Sequence, residues 1–306
     1  VSSWKELISL RHYFFFLILI VMPMGASSLL TTEFTIKSSG VINYNQSPTN
    51  QLCRGVFISK WYPEDASYQT VDLNLIVQTI ADYGVINALF IQVDDTRMMD
   101  DAPIPAEKLK SVISLAHSKG IKVFAVTVLT FTRDPASRAV DYLGYTTDFA
   151  CPCNPNALNR AKTVIQKIAG YDFDGIQLDF IRWAESIRTV DAGTGKKIPA
   201  NYICYCQYCK SAFEQFIGYS ISDYAWTHDY APGGSQDWRK QEWWHIPITN
   251  LLRNTATWAR EIKPNMPVSV AVFEPYIGTA SGAQGADTWK WWIGQDTVGW
   301  VKNGYI

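Results

Sequence analysis

The chain has 306 residues, 47% of them hydrophobic, which is enough to bury one large core and suits one or two domains. Lys and Arg together number 27 against 28 for Asp and Glu, without a clustered basic run, and this excludes the electrostatic footprint of a nucleic-acid binder. Aromatic residues make up 14% of the chain, and many of the 12 Trp fall outside the apolar runs, so some of their rings are expected to face a ligand.

At the start, Lys5 and Arg11 precede the apolar run 13–24 (YFFFLILIVMPM), and small residues follow at 25–28. Basic flank, apolar run and small-residue end match a secretory signal. An uncleaved anchor helix is the alternative, since the run lengthens if Leu30 is included. Residues 1–30 are therefore expected to direct export, and the polar stretch 31–52 reads as a linker with a short strand.

From Arg54 onward, β-rich apolar runs alternate with helical patterns, the signature of parallel βαβ units. Strands are predicted at 55–61, 88–93, 123–129, 175–181 and 268–273, and helices at 74–83, 106–119, 156–169, 241–263 and 288–302. Near-continuous apolar strands belong to a sheet buried on both faces. The order points to a (β/α)8 barrel, whose eight units need about 250 residues. Only five units are read here, and 303–306 resembles the start of a sixth strand, so the barrel over 53–306 is expected to be truncated. Residues 183–240, with turn-rich AGTGKK and APGGSQD, form a long loop insertion after the fourth strand.

Within YDFDGIQLDFIRW (171–183), Asp179 and Arg182 end an otherwise buried strand. In a barrel the C-terminal ends of strands open on the catalytic mouth. Asp179 and Arg182 could be a structural ion pair, could bind a polar ligand, or Asp179 could be one of two carboxylates acting on a sugar linkage. Glu274, directly after the next apolar run, supplies the second carboxylate. Adjacent strands lie about 4.8 Å apart, so the spacing of about 5–5.5 Å that suits a retaining mechanism is possible. Arg182 is expected to hold Asp179 ionised, making Asp179 the nucleophile or stabiliser and Glu274 the proton donor. Asp94 and Asp95 end the second strand as candidate substrate contacts, and Asp174 caps a turn. His117 reads as an ordinary helix-end residue.

The block DGIQLDFIR, with CPCNPNALNRAKTVIQKIAG before it and WWIGQDTVGWVKNGYI after it, resembles the glycoside-hydrolase-like TIM-barrel proteins, whose most recognisable strand has the form D-G-I-x-L-D-x-x-R. The likeness covers 53–306 and implies a carbohydrate-active barrel. It departs locally, since the family continues Arg-Tyr-Pro where this chain has Arg182-Trp183-Ala184. Aligned on the D-G-x-D-x-D-x-E strand of family-18 chitinases, the chain places Gln177 at the middle acid and Ile181 at the catalytic Glu. Substrate-assisted chitinase chemistry is disfavoured accordingly.

Six Cys occur, three as C-x-C-x-x-C at Cys204, Cys206 and Cys209 and two as CPC at Cys151 and Cys153. Disulfides are the default in an exported protein. Three sulfurs within six residues pair poorly among themselves but can converge on one tetrahedral ion, with a fourth thiolate from Cys151 or Cys153. Cys53 would then be free or paired with Cys153. The arrangement is similar to that of family-42 β-galactosidases, in which a Cys-Pro before a helix and a later C-x-C-x-x-C correspond in placement to Cys151-Pro152 and to Cys204, Cys206 and Cys209, with a helix after them. That resemblance implies a structural zinc site.

These readings converge on an exported glycoside hydrolase needing no cofactor for catalysis, with a carbohydrate substrate and contact with a membrane only through an N-terminal anchor. Trp61 and Trp183 are candidate platforms for sugar faces, whereas Trp291 and Trp292 are assigned to packing. The competing reading is a non-catalytic carbohydrate-binding barrel at the cell surface. A metal-dependent hydrolase is disfavoured, because His and Asp ligands do not cluster at the strand ends.

Overall fold

The computed structural model describes residues 53–58, 72–95, 106–132, 134–183, 186–190, 197–199, 203–272 and 294–306. The expected leader and linker, Trp61, Glu274, Trp291 and Trp292 lie outside them, and Asp94 and Asp95 are described through their backbone alone. Among the described residues, no helix is long and apolar enough to cross a membrane.

Five parallel strands form the central sheet: β1 (Gly55–Ile58), β2 (Ala88–Asp95), β3 (Lys122–Val128), β6 (Gly175–Asp179) and β9 (Val268–Val270). They lie side by side in chain order, as successive staves of a barrel do, and the described residues do not close it. The connecting helices are α1 (Leu73–Tyr83), α2 (Ala106–Ser118), α3 (Pro155–Ala169) and α7 (His245–Ile262). Two of them have a sequence reason to begin where they do. Asp72 caps α1 by accepting from the Leu75 amide at 3.0 Å, and Asn154 caps α3, with Pro155 pre-set for its first turn.

The two faces of the sheet differ. Leu89, Ile91, Val93, Val123, Ala125, Ile176 and Leu178 join one core with Val77, Val112, Ala116, Ile165 and Leu252 from the helices. Each Leu, Ile or Val among them contributes about 1.5–3 kcal/mol of burial. On the other face the register stacks residues in rows. Phe57, Phe90, Phe124 and Gly175 form the first, with ring centroids of neighbouring phenylalanines 6.5 and 4.8 Å apart. Gln92, Val126, Gln177 and Ser269 form the second, and Asp95, Val128 and Asp179 the third. A β-bulge between Gln92 and Asp94 places Asp95, not Asp94, level with Asp179.

Several expectations need correction. The insertion is built, not looped: it carries the hairpin β7 (Ser186–Val190) and β8 (Lys197–Pro199), then α4 (Gln207–Ile217), α5 (Asp223–His228) and α6 (Asp237–Trp243). Tyr205, Phe213, Trp226, Tyr230, Trp243 and Trp244 pack inside it, which is why polar tips at its ends hid an apolar centre. The helix expected over 241–263 is two helices, α6 and α7, because Pro247 cannot donate the amide that would continue one helix through Trp243. A second hairpin, β4 (Arg138–Val140) with β5 (Thr146–Ala150), precedes α3. Residues 303–304 turn the chain off α8 (Thr297–Lys302), with the Tyr305 amide donating to the Trp300 carbonyl at 2.9 Å.

Candidate active site and metal centre

Asp179 is the last residue of β6, half-buried, on the face turned away from the helices. Gly175 sets that strand's position: a Cβ there would stand 2.9 Å from the Phe124 ring and 3.1 Å from the Pro267 carbonyl oxygen. The turn after Asp179 is tightly held. Phe180 takes a left-handed backbone (φ 52°), and its amide donates to Asp179 Oδ1 at 2.8 Å. Its carbonyl accepts from Thr130 Oγ1 at 2.6 Å and from the Arg182 amide at 2.7 Å. A positive φ at a bulky residue costs of order 1–3 kcal/mol and persists only where neighbours enforce it.

Burial pushes the Asp179 carboxyl up, outweighing the Phe180 amide and the positive charge of Arg182, which both act downward. That reverses the direction expected from Arg182 alone. Arg182 is itself buried, donates to the Trp183 carbonyl at 3.3 Å and lies over the Phe180 ring at 4.5 Å. Trp183, a candidate sugar platform, is 1% exposed. Its ring lies 4.8 Å from that of Trp244, to whose carbonyl its indole donates at 2.9 Å, so it works in the core. β9 does neighbour β6, and the Ala271 amide donates to the Leu178 carbonyl, while Glu274 comes three positions later, outside the described residues. Asp174 ties the lower end of the sheet, accepting from the Val123 amide at 2.7 Å and pairing with His117 at 2.9 Å, and His117 ends α2 as expected.

The second constellation is sulfur. Cys151 follows β5 directly, Cys206 precedes the first residue of α4 and Cys209 stands in its first turn. Cys204 is fixed beside β4, where its sulfur accepts from the Val140 and Cys206 amides at 3.3 and 3.4 Å. The four sulfurs lie within 4.8 Å of one another, with Cys151 3.3 Å from Cys209 and 3.5 Å from Cys206. Tetrahedral zinc with bonds of about 2.3 Å separates its sulfurs by about 3.8 Å, so the spacing fits that ion. A disulfide needs about 2.05 Å, and none of the six cysteines is bonded to another. Hydrogen bonds from its neighbours, Cys151 first, hold Cys206 well below the usual thiol range, whereas burial first raises Cys204 and Cys209. Cys153, lowered to about 6 chiefly by its bond with Cys151, stands beside the four.

Beside this cluster lies Lys240, a residue the sequence reading passed over. It is 2% exposed on α6, and its Nζ sits 3.1 Å from the Tyr205 ring centroid, 4.6 Å from that of Trp244 and 5.0 Å from that of Trp226. Burial lowers its ammonium to about 7, and the charges of Cys209, Cys204, Asp237 and Cys206 act upward. The readable signal was a Lys placed three and four positions before Trp243 and Trp244, on the buried side of a helix.

No protein-family model matches the sequence, and none of the characterised proteins compared with it matches either. Among solved structures, α-L-fucosidase isoenzyme 2 from Paenibacillus thiaminolyticus is similar over 71% of this chain and 32% of its own, at 18% identity and a TM-score of 0.45. The β-galactosidase of the psychrophilic Marinomonas ef1 overlaps 71% of this chain and 36% of its own, at 13% identity and a TM-score of 0.47. The catalytic domain of β-amylase from Paenibacillus polymyxa overlaps 66% and 64%, at 10% identity and a TM-score of 0.46. The chain thus spans about a third of the first two proteins and under two thirds of the third. These neighbours are glycosidases, and at TM-scores under 0.5 such overlaps transfer no residue roles.

Proposed function

We propose that this chain is an exported glycoside hydrolase that cleaves an oligosaccharide or polysaccharide with two carboxylates, Asp179 and Glu274. The observation that carries the reading is Asp179 itself: a carboxyl at the C-terminal end of a central parallel strand, on the face free of helices, held by an enforced left-handed turn. Because burial favours its protonated form, Asp179 takes the role of proton donor to the leaving oxygen. Glu274 then acts as the second carboxylate, the reverse of the roles expected from the sequence. Asp95, level with Asp179 across β3, is a further substrate contact, and Asp94 is the weaker candidate. Export rests on residues 13–24 and their basic flank. Cys151, Cys204, Cys206 and Cys209 hold a structural zinc ion that joins the β4–β5 hairpin to the insertion and has no part in the chemistry.

A glycan-panel hydrolysis assay on the full chain and on Asp179→Asn tests the proposal. Hydrolysis that collapses in the variant while glycan binding persists supports it. A wild type that binds glycans and hydrolyses none overturns it in favour of a binding barrel.

A further inference from the structure

Buried ammonium groups in proteins are ordinarily paired or hydrogen-bonded, because an isolated charge out of water is costly. Lys240 Nζ has no hydrogen-bond partner among the described residues. What surrounds it is aromatic: Tyr205, Trp244 and Trp226 present their rings within 3.1–5.0 Å. Two of the rings are held by their own polar ends, with the Tyr205 hydroxyl donating to the Tyr230 carbonyl at 3.1 Å and the Trp226 indole to the Tyr205 carbonyl at 3.0 Å. Cation–π contacts of this kind contribute about 0.5–2 kcal/mol each, less than the cost of burying a lone charge, so the cage by itself does not account for a lysine here.

Tyr205, the ring nearest the ammonium, is the residue between Cys204 and Cys206 in C-Y-C, so the cage wall and the ligand loop are one segment. Ionised at Cys209, Cys204 and Cys206, the cluster acts upward on the Lys240 ammonium, as Asp237 also does. A divalent ion bound by four thiolates carries a net charge of −2 from simple addition, and that centre is itself buried. We propose that Lys240 is the counter-cation of the metal tetrathiolate: a positioning charge that neutralises half of the centre's excess and so raises metal affinity without being a ligand. The inference rests on the metal reading of the four cysteines and is independent of the glycosidase reading.

The test uses the full chain as wild type, Lys240→Met and Lys240→Arg. Native mass spectrometry gives metal content, and chelator competition gives the zinc Kd. Groups outside the ligand set typically tune metal affinity by about 10–100-fold, so Lys240→Met is expected to weaken zinc binding in that range. Its metal-free stability should be unchanged or higher, since an apolar side chain replaces a buried charge. Lys240→Arg should restore most of the affinity. Equal zinc affinity in wild type and Lys240→Met, or a loss that Arg does not restore, overturns the proposal, the latter by identifying packing as the cause. A wild type that binds no metal overturns the zinc reading first and this inference with it. If Lys240→Met does not accumulate, Lys240→Gln, neutral and nearly as long, makes the same comparison.

Discussion

Asp179 shows how one side chain's surroundings decide its role. Arg182 three positions on is the feature a linear reading weighs, yet the carboxyl is governed by loss of water at the end of β6. The sign of the pH effect follows. A carboxyl whose folded pKa lies above its unfolded value binds its proton more tightly in the folded state, so stability falls as pH rises through the interval between the two values. Asp179→Asn removes that loss: thermal melts at neutral pH are expected to give a Tm at or above wild type, while hydrolysis drops by about 10²–10⁴-fold. A Tm below wild type would show the carboxylate to be structural. Gly175 is a residue whose identity is dictated by a close approach. Gly175→Ala must displace the Phe124 ring or the Pro267 carbonyl, and overpacking of this kind costs roughly 1–3 kcal/mol, measurable by denaturant unfolding. The motif letters D-G were legible in the sequence, and the ring that makes the glycine necessary was not, because Phe124 comes from a neighbouring strand.

Among elements, the sheet sorts residues that look equivalent in sequence. Asp94 and Asp95 are adjacent acids at the end of one strand, and period-two alternation alone cannot rank them. The bulge after Gln92 does: it brings Asp95 into the row of Val128 and Asp179 and leaves Asp94 level with Thr127. Asp95→Asn is therefore expected to raise KM or lower kcat by at least tenfold more than Asp94→Asn in steady-state kinetics on a cleaved glycan. Equal effects would remove Asp95 from the site. The strand cores agree with the apolar runs to within a few residues, since burial on both faces leaves a continuous signal. The insertion was misread for the opposite reason. Its helices are short, and their buried aromatics are dispersed among polar residues at spacings that only become a face once the helices meet.

For the molecule as a whole, the cysteine centre is a join between two parts of the chain about fifty residues apart, the end of β5 and the start of α4. Joining distant segments restricts the unfolded chain as well as ordering the folded one. Chelator treatment, or Cys204→Ser, is expected to abolish metal content and lower the Tm by several degrees. Glycan hydrolysis at low temperature should persist, because Asp179 draws no group from the cluster. Activity that disappears with the metal before any unfolding would show the ion to be part of the active site.

The sequence by itself determined the alternation of strand and helix, the strand-end position of Asp179 and the closeness of Cys204, Cys206 and Cys209, because apolar runs, strand ends and close Cys spacing are local properties of a chain. Tertiary structure decided the rest. Which way the Asp179 carboxyl is shifted, that the Trp183 ring is packed inside, that Asp95 and not Asp94 stands level with Asp179, and that Lys240 lies in an aromatic cage beside the thiols all depend on solvent exclusion and on neighbours brought from far along the chain. Electrostatics and burial are sums over space, and a sequence orders residues only along the backbone.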